Sequence, residues 1–393
     1  MKVFVAHNYY REEGGEDYVF QTECALLDAR GHQVIPYTAD NDHLPDRPGV
    51  REAMETVWNE KTYDDLRELF RRERPDIAHF HNTFPLISPS AYHAARKEGI
   101  PIVQTLHNYR LLCPSAQFFR DGRVCEDCLG RAVPWPGVVH ACYRDNRAAT
   151  GAIATMLSGH RLLGTWRRTI GRYIALTEFA REKFIEGGLP GSHIHVKPNF
   201  LNADPGAGSG AGGYALFAGR LSVEKGLDVL LSAWERIGDT VPLKIVGDGP
   251  LAERVRAAAD RLPGVEWLGR RPREEVFRLM QGAHFLVFPS VWYEGFPLVV
   301  VEAFAMGLPV VASNLGNMSS IIADGWTGLH FRPGDPVDLA AKSTWLASTP
   351  EARGAMRLRA REEYQAKYTA DRNYSQLMAI YAAARNGNGR ARP

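Results

Sequence analysis

His284-Phe285-Leu286-Val287-Phe288-Pro289-Ser290 is followed, three residues later, by Glu294-Gly295-Phe296-Pro297-Leu298-Val299-Val300-Val301-Glu302. The first run is short, apolar and bounded by a proline, which predicts a buried strand. Leu298 to Met306 is an apolar helix pattern, with Gly307 as its stop. The order is therefore strand, loop, helix. Glu294 falls in the loop, and Glu302 lies about one turn into the helix on a ~3.6-residue period. Carboxylates are seldom buried without a partner. Backbone N–H groups at a helix start favour anions, and a carboxylate there accepts hydrogen bonds from sugar hydroxyls. Taken alone, the pair is equally well a helix cap and a satisfied core glutamate.

The same strand–loop–helix grammar recurs along all 393 residues. Strands are predicted at residues 3–6, 33–37, 76–80, 102–106, 173–176 and 193–196, with helical patterns between them, such as 18–29, 64–72 and 89–97. After a Gly/Ala/Ser-rich stretch at 202–213 they resume at 215–218, 243–246, 266–268, 285–288, 310–312 and 329–331. Alternating strands and helices predict parallel sheets covered on both faces. The expected fold class is α/β, as two doubly wound, Rossmann-like domains facing a central cleft. The expected segments are an N-terminal domain at 1–200, a linker at 201–213 and a C-terminal domain at 214–369. Residues 370–393 form a last helical segment expected to cross back to the N-terminal domain. Ligands of such folds bind beyond the carboxyl ends of the strands.

Composition narrows the class. Hydrophobic content of 45% and charged content of 23% describe a soluble globular chain. A net charge of +2 predicts no nucleic-acid partner. Met1-Lys2-Val3-Phe4-Val5-Ala6 runs straight into a strand, too short for a signal-peptide core. No apolar stretch approaches the ~20 residues that cross a bilayer. The expected location is the cytoplasm, with peripheral contact at the inner face of a membrane left open.

Ala218-Gly219-Arg220-Leu221-Ser222-Val223-Glu224-Lys225-Gly226 also joins a strand to a helix. Gly219 lets a ligand approach the backbone. Arg220 offers a planar fork and Lys225 a point charge, which together suit a diphosphate; alone, they are two solvated cations on a turn. Val246-Gly247-Asp248-Gly249-Pro250 is a second strand-end loop. These three motifs, with Ala305-Met306-Gly307-Leu308-Pro309-Val310-Val311-Ala312-Ser313 after the last, resemble the family 4 retaining glycosyltransferases of the GT-B fold. The resemblance covers most of residues 214–334. It implies that Arg220 and Lys225 hold the donor diphosphate, Glu294 the donor-sugar hydroxyls and Glu302 the nucleotide ribose. It places Gly219, Gly249, Gly295 and the backbone of Phe296, Leu298 and Val299 near the donor, and the base near Gly269-Arg270. One departure stands out. The family often carries Gly-Gly-x-x-Glu after the Val-Ala-Ser strand, where this chain reads Gly316-Asn317-Met318-Ser319-Ser320.

In the first half, Gly14-Gly15-Glu16 follows a strand and opens a helix. Such a turn lets amides approach a phosphate or a sugar, and the resemblance makes Gly15 a donor contact. His107 ends the strand Gln104-Thr105-Leu106. A lone histidine is usually structural, but the resemblance places one near the donor sugar here. His81 and Asn82 end the preceding strand and would line the same cleft. Cys113, Cys125, Cys128 and Cys142 read Cys-x11-Cys-x2-Cys-x13-Cys within an insertion at about 110–145. One Cys-x2-Cys pair and two further thiols suit a structural zinc; buried or redox-active thiols are the alternative. Gly164-Thr165-Trp166-Arg167-Arg168-Thr169-Ile170-Gly171-Arg172 is basic with one aromatic. A solvated helix face is expected there, ahead of contact with anionic lipid.

The implied reaction moves a sugar from a nucleotide-diphosphate donor to an acceptor hydroxyl with retention, in polysaccharide or glycoconjugate synthesis. The acceptor is a carbohydrate, a lipid-linked sugar or a small molecule. Glu294, His107, Arg220 and Lys225 are the expected catalytic groups, and no catalytic metal is expected. A UDP-sugar is favoured over a GDP-sugar. The rivals are a nucleotide-sugar epimerase or hydrolase, a sugar phosphorylase, and a non-catalytic sugar-nucleotide binder.

Overall fold

The computed structural model describes residues 1–12, 14–43 and 49–388; Glu13, residues 44–48 and the tail 389–393 of the expected segments lie outside them. Short apolar runs form the inner strands, covered on both faces, while partly exposed stretches form an edge strand of the first sheet and a small hairpin. They are β1 (Lys2–Tyr9), β2 (Gln33–Asp40), β3 (Ile77–Phe80), β4 (Ile102–Leu106), a hairpin of β5 (Phe119–Arg120) and β6 (Arg123–Val124), β7 (Arg172–Ala175) and β8 (Ile194–Val196). The second series is β9 (Ala215–Ala218), β10 (Leu243–Val246), β11 (Val265–Gly269), β12 (Phe285–Phe288), β13 (Val310–Ser313) and β14 (Gly328–Phe331). β1 and β2 run on past their expected ends because their register continues from Lys2↔Gln33 to Tyr9↔Asp40. Backbone pairing carries that stretch beyond its apolar part.

Each series forms one six-stranded parallel sheet. The first has the order β2-β1-β3-β4-β7-β8 and the second β11-β10-β9-β12-β13-β14. In both, the order reverses beside the first strand of the series. Loops on either side of that reversal splay apart and leave a crevice at the carboxyl ends of the strands. In the first sheet the crevice lies between β1 and β3, and in the second between β9 and β12.

The chain divides into two compact units. One holds residues 1–118, 125–199 and 370–393; the other holds 119–124 and 200–369. In the first, the last helix (Ala370–Asn388) supplies Leu377, Ile380 and Tyr381 to a core with Val3, Val5, Phe20 and Ile174. In the second, Trp234 is fully buried and its indole N–H donates to Val241 O at 2.8 Å. Truncating a core side chain of that size costs ~3–5 kcal/mol. The Gly-rich stretch lies along this second unit. Gly208, Gly210 and Gly212 donate to Met306, Gln281 and Gly282, and Arg361 pairs with Asp204. Leu201 and Thr369, near the two ends of block 200–369, form an isolated parallel bridge, with Leu201 N–H bonded to Tyr368 O at 3.1 Å.

No helix among the described residues is long and apolar enough to cross a membrane. In the basic stretch Trp166 is buried, and its indole N–H donates to Leu157 O at 3.2 Å. The aromatic of that segment therefore belongs to the core and offers nothing to a lipid surface.

Candidate functional site

Four loops at the carboxyl ends of β9 to β12 are laced together through their backbones. Gly219 donates to Val246, Leu221 to Asp248, Gly247 to Gly269, and Val291 to Glu224, all at 2.9–3.0 Å. This lacing requires glycine at two points. A Cβ on Gly247 would sit 1.8 Å from Gly219 O, and one on Gly226 would sit 1.9 Å from Pro289 O. Both residues also hold positive φ, 141° and 70°, which L side chains adopt at a cost of ~1–3 kcal/mol. The loops bearing Arg220, Gly249, Arg270 and Glu294 thus form one frame at the order reversal of the second sheet.

Within that frame Lys225 and Glu294 are bound to each other. Lys225 Nζ lies 2.8 and 3.0 Å from the two carboxylate oxygens. The Ser290 hydroxyl donates to the same carboxylate, and the Lys225 ammonium lies 5.5 Å from the Trp292 ring centre and 5.8 Å from that of Phe288. Glu294 is 5% exposed, so its charge requires this company. Arg220 and Gly219 are exposed on the same loop, and Gly295, Leu298 and Val299 are partly exposed beside it. The helix Leu298–Ala305 starts here with no side-chain cap, while Phe296 is buried. The frame therefore offers a fixed cation, a second and exposed cation, and a helix head.

Glu302 points to a different partner. Arg273 bonds its carboxylate at 2.7 Å. Burial raises the Glu302 carboxyl above its usual range, and the arginine opposes that shift. Nothing local in the sequence marks Arg273. Asn317, in the loop that departs from the family pattern, is buried and donates to the carbonyls of Glu294 and Gly295. The departure therefore keeps a structural task, holding the Glu294 turn in place.

In the first unit Gly14 N–H is bonded to Asp17 Oδ2 at 2.7 Å, and Asp17 Oδ1 lies 2.6 Å from His7 Nε2. The helix Gly15–Ala29 thus begins with one of its own acids at its head, beside an exposed Gly15. His107 is buried at the end of β4, with Nε2 3.0 Å from Nδ1 of His81 and the rings stacked at 24°. Beneath them lie His79, Glu23 and Lys197, and Lys197 Nζ is 2.8 Å from Glu23 Oε2. Burial, then the neighbouring His81 and His7, push His107 well below its ordinary range. Burial, then His79, bring His81 down to about 3. Burial alone would raise Glu23, but the Lys197 charge with His79 and His81 holds it well below the usual carboxylate range. Sequence reasoning missed Glu23 and Lys197; a polar residue inside an apolar helix face was the available signal.

Of the four insertion cysteines, Cys113 and Cys128 are buried and Cys125 and Cys142 half-buried. Burial, then the nearby thiols of Cys113, Cys142 and Cys125, push Cys128 up to about 12. Among the described residues no three of these sulfurs lie within 4.8 Å of one another; the trio that does is Glu23, His79 and His81.

Comparison with known proteins fits this frame. Residues 14–205 match the model described as glycosyltransferase family 4, and residues 212–349 that described as glycosyl transferases group 1. The chain belongs to this glycosyltransferase family. It is 35% identical over 142 residues to an uncharacterised glycosyltransferase of Methanocaldococcus jannaschii, covering 36% of this chain and 40% of that protein. It is 34% identical over 161 residues to the D-rhamnosyltransferase WbpZ of Pseudomonas aeruginosa, covering 40% and 42%. The chain thus spans under half the length of these relatives. Its backbone matches Anabaena HepE, solved in complex with UDP, with a TM-score of 0.69 at 17% identity over 98% of this chain and 100% of that one. At that identity the likeness is one of fold, and the fold is GT-B.

Proposed function

We propose that the protein transfers a sugar from a nucleoside-diphosphate donor to an acceptor hydroxyl, with retention at the anomeric carbon. The observation that carries this is the Lys225–Glu294 pair, set at the order reversal of the second sheet beside Arg220 and a helix head. The C-terminal unit would hold the donor and the N-terminal unit would serve the acceptor. Arg220, Lys225 and the backbone of Leu298 and Val299 would bind the diphosphate. Gly15, Gly219, Gly249, Gly295 and Phe296 would contribute close backbone approach. Glu294 would take the sugar hydroxyls, Glu302 the ribose, and the Gly269-Arg270 backbone the base. His107 would bond a substrate hydroxyl.

In this mechanism the bond from the anomeric carbon to the diphosphate breaks as the acceptor oxygen bonds to the same face. The departing diphosphate oxygen takes the acceptor proton. Arg220, Lys225 and the helix-head amides stabilise the charge that develops, by preorganised electrostatics. Glu294 and His107 supply orientation. Neither a protein base nor a divalent cation is needed for that step. A uridine donor is favoured, since HepE was solved with UDP; a guanosine donor is the alternative. The acceptor is a growing polysaccharide or glycoconjugate.

A thermal-shift panel of UDP-, GDP- and ADP-sugars tests donor binding, because a ligand of the folded state raises apparent stability. The UDP-sugars should raise the melting temperature most. Acceptor extracts should then trigger release of the nucleoside diphosphate. Product from donor alone would point to an epimerase or a hydrolase, and no shift with any donor would end the proposal.

The four cysteines are proposed as a structural zinc site of the insertion. Among the described residues no three of the thiols lie within 4.8 Å of one another, so the insertion would have to draw them together around a tetrahedral ion, which would deprotonate them on binding. Protein purified without added zinc should carry about one zinc per chain. Metal-free protein of full stability would remove the site.

A further inference from the structure

Lys197, Glu23, His79, His81 and His107 lie buried together at the carboxyl edge of the first sheet. Glu23 comes from the helix Gly15–Ala29, His79 and His81 from the end of β3, His107 from the end of β4, and Lys197 from just after β8. Burying an ammonium and a carboxylate costs several kcal/mol each before pairing, and apolar residues of similar volume often serve stability as well. The cluster therefore calls for a purpose beyond packing.

A metal does not fit it. Glu23, His79 and His81 bring three ligand-type atoms within 4.8 Å of one another. Yet the Lys197 ammonium is already bonded to that carboxylate. His79 has Nδ1 at 2.8 Å from the Tyr381 hydroxyl and Nε2 at 2.8 Å from Thr105 Oγ1. A second cation would face a fixed positive charge and an occupied imidazole.

We propose that Lys197, Glu23 and His81 form a buried chain that fixes His107 as the tautomer protonated on Nε2, leaving Nδ1 as a lone pair for a substrate hydroxyl. The ammonium keeps Glu23 ionised, and an ionised carboxylate only accepts. Glu23 Oε1 lies 3.2 Å from His81 Nε2. The contact is off the hydrogen-bond direction, but an N–H beside a carboxylate is attracted and a lone pair is repelled. Nε2 of His81 therefore carries the proton, and its Nδ1 is the acceptor. His107 Nε2, 3.0 Å away, must then donate. The titratable and charged groups acting on His107 are His81, His7, Glu23 and Lys197. His81, Glu23 and Lys197 are positioning residues. The tautomer stands apart from the transferase proposal; only the identity of the hydroxyl rests on it.

The test is a long-range proton–nitrogen correlation spectrum of the full chain with labelled histidine, between about pH 6 and 8. The His107 signals are those missing in His107→Gln. The wild type should show one tautomer, with a protonated Nε2 and a bare Nδ1, unchanged across the range. His81→Leu removes the acceptor and should give mixed tautomers or a titrating ring, together with a lower kcat at nearly unchanged donor KM. His81→Asn, whose amide oxygen can stand in for Nδ1, should restore the wild-type pattern in part. A proton on Nδ1 of wild-type His107, or a tautomer unaltered in folded His81→Leu, would overturn the proposal. The wild-type spectrum decides alone if His81→Leu fails to fold. Loss of donor binding with this tautomer intact would instead count against the transferase function.

Discussion

Lys225→Ala is expected to lower kcat by about two to three orders of magnitude, the range seen when one preorganised charge or donor is removed from a reacting oxyanion. The ammonium is held between the Glu294 carboxylate and two ring faces, so its position is fixed before any ligand arrives. A group that needs no reorganisation as charge develops contributes most in the transition state. The substitution also leaves the Glu294 charge buried without its ammonium, still bonded to Ser290. Some stability will be lost, and the kinetic comparison must use protein shown to be folded. Glu294→Gln keeps the shape of the pair and removes its charge, and should fall by a similar factor at saturating donor. Turnover of Lys225→Ala within tenfold of wild type would detach this lysine from the chemistry.

The second large effect is acid lability. His81 is brought from 6.5 down to about 3 by burial and by His79, and burial also lowers His107 far below its ordinary value. Both rings are neutral in the fold and protonate below pH 6.5 in the unfolded chain. The unfolded state then binds more protons, so stability rises with pH in this window and is lost as pH falls. His81 alone contributes ~1.4 kcal/mol per pH unit, or ~2 kcal/mol by about pH 5, and His107 acts in the same direction. Against the ~5–15 kcal/mol of a typical domain, a loss of that size is measurable. Glu23 acts in a lower window. Its carboxyl is depressed below 4.5, so its contribution is intact above that value and fades only beneath it. Urea unfolding across a pH series should show the midpoint falling steeply below pH 6.5. A flat midpoint down to about pH 5 would contradict neutral, buried histidines.

Both sheets are legible in the chain because their strands are short β-branched or aromatic runs bounded by Gly, Pro and polar residues. Phe285, Leu286 and Val287 are successive and all buried, so both faces of β12 are covered and the whole run reads as apolar. The helix Val50–Val57 shows the opposite case. Val50, Ala53, Met54 and Val57 recur at helical spacing, yet no residue of the helix is buried, so its apolar stripe marks no core position. The residues of the strand-end frame are legible for a related reason. Glu294 and Lys225 sit on strand-end loops whose local spacing is informative. Arg273 with Glu302, Asn317 with Gly295, and Lys197 with Glu23 join residues 29, 22 and 174 positions apart. No local pattern encodes such pairs; the folded sheet creates them.

The small bridge between Leu201 and Thr369 has a consequence for how the chain can be cut. Apart from residues 119–124, the second unit is one continuous block whose entry and exit lie side by side. It has the connectivity of an inserted module. Splicing Asn199 to Ala370 closes the first unit over a short gap, and joining the block's own ends closes it into a ring at little loop-closure entropy. Exchanging this block between relatives would therefore cut the chain at one place.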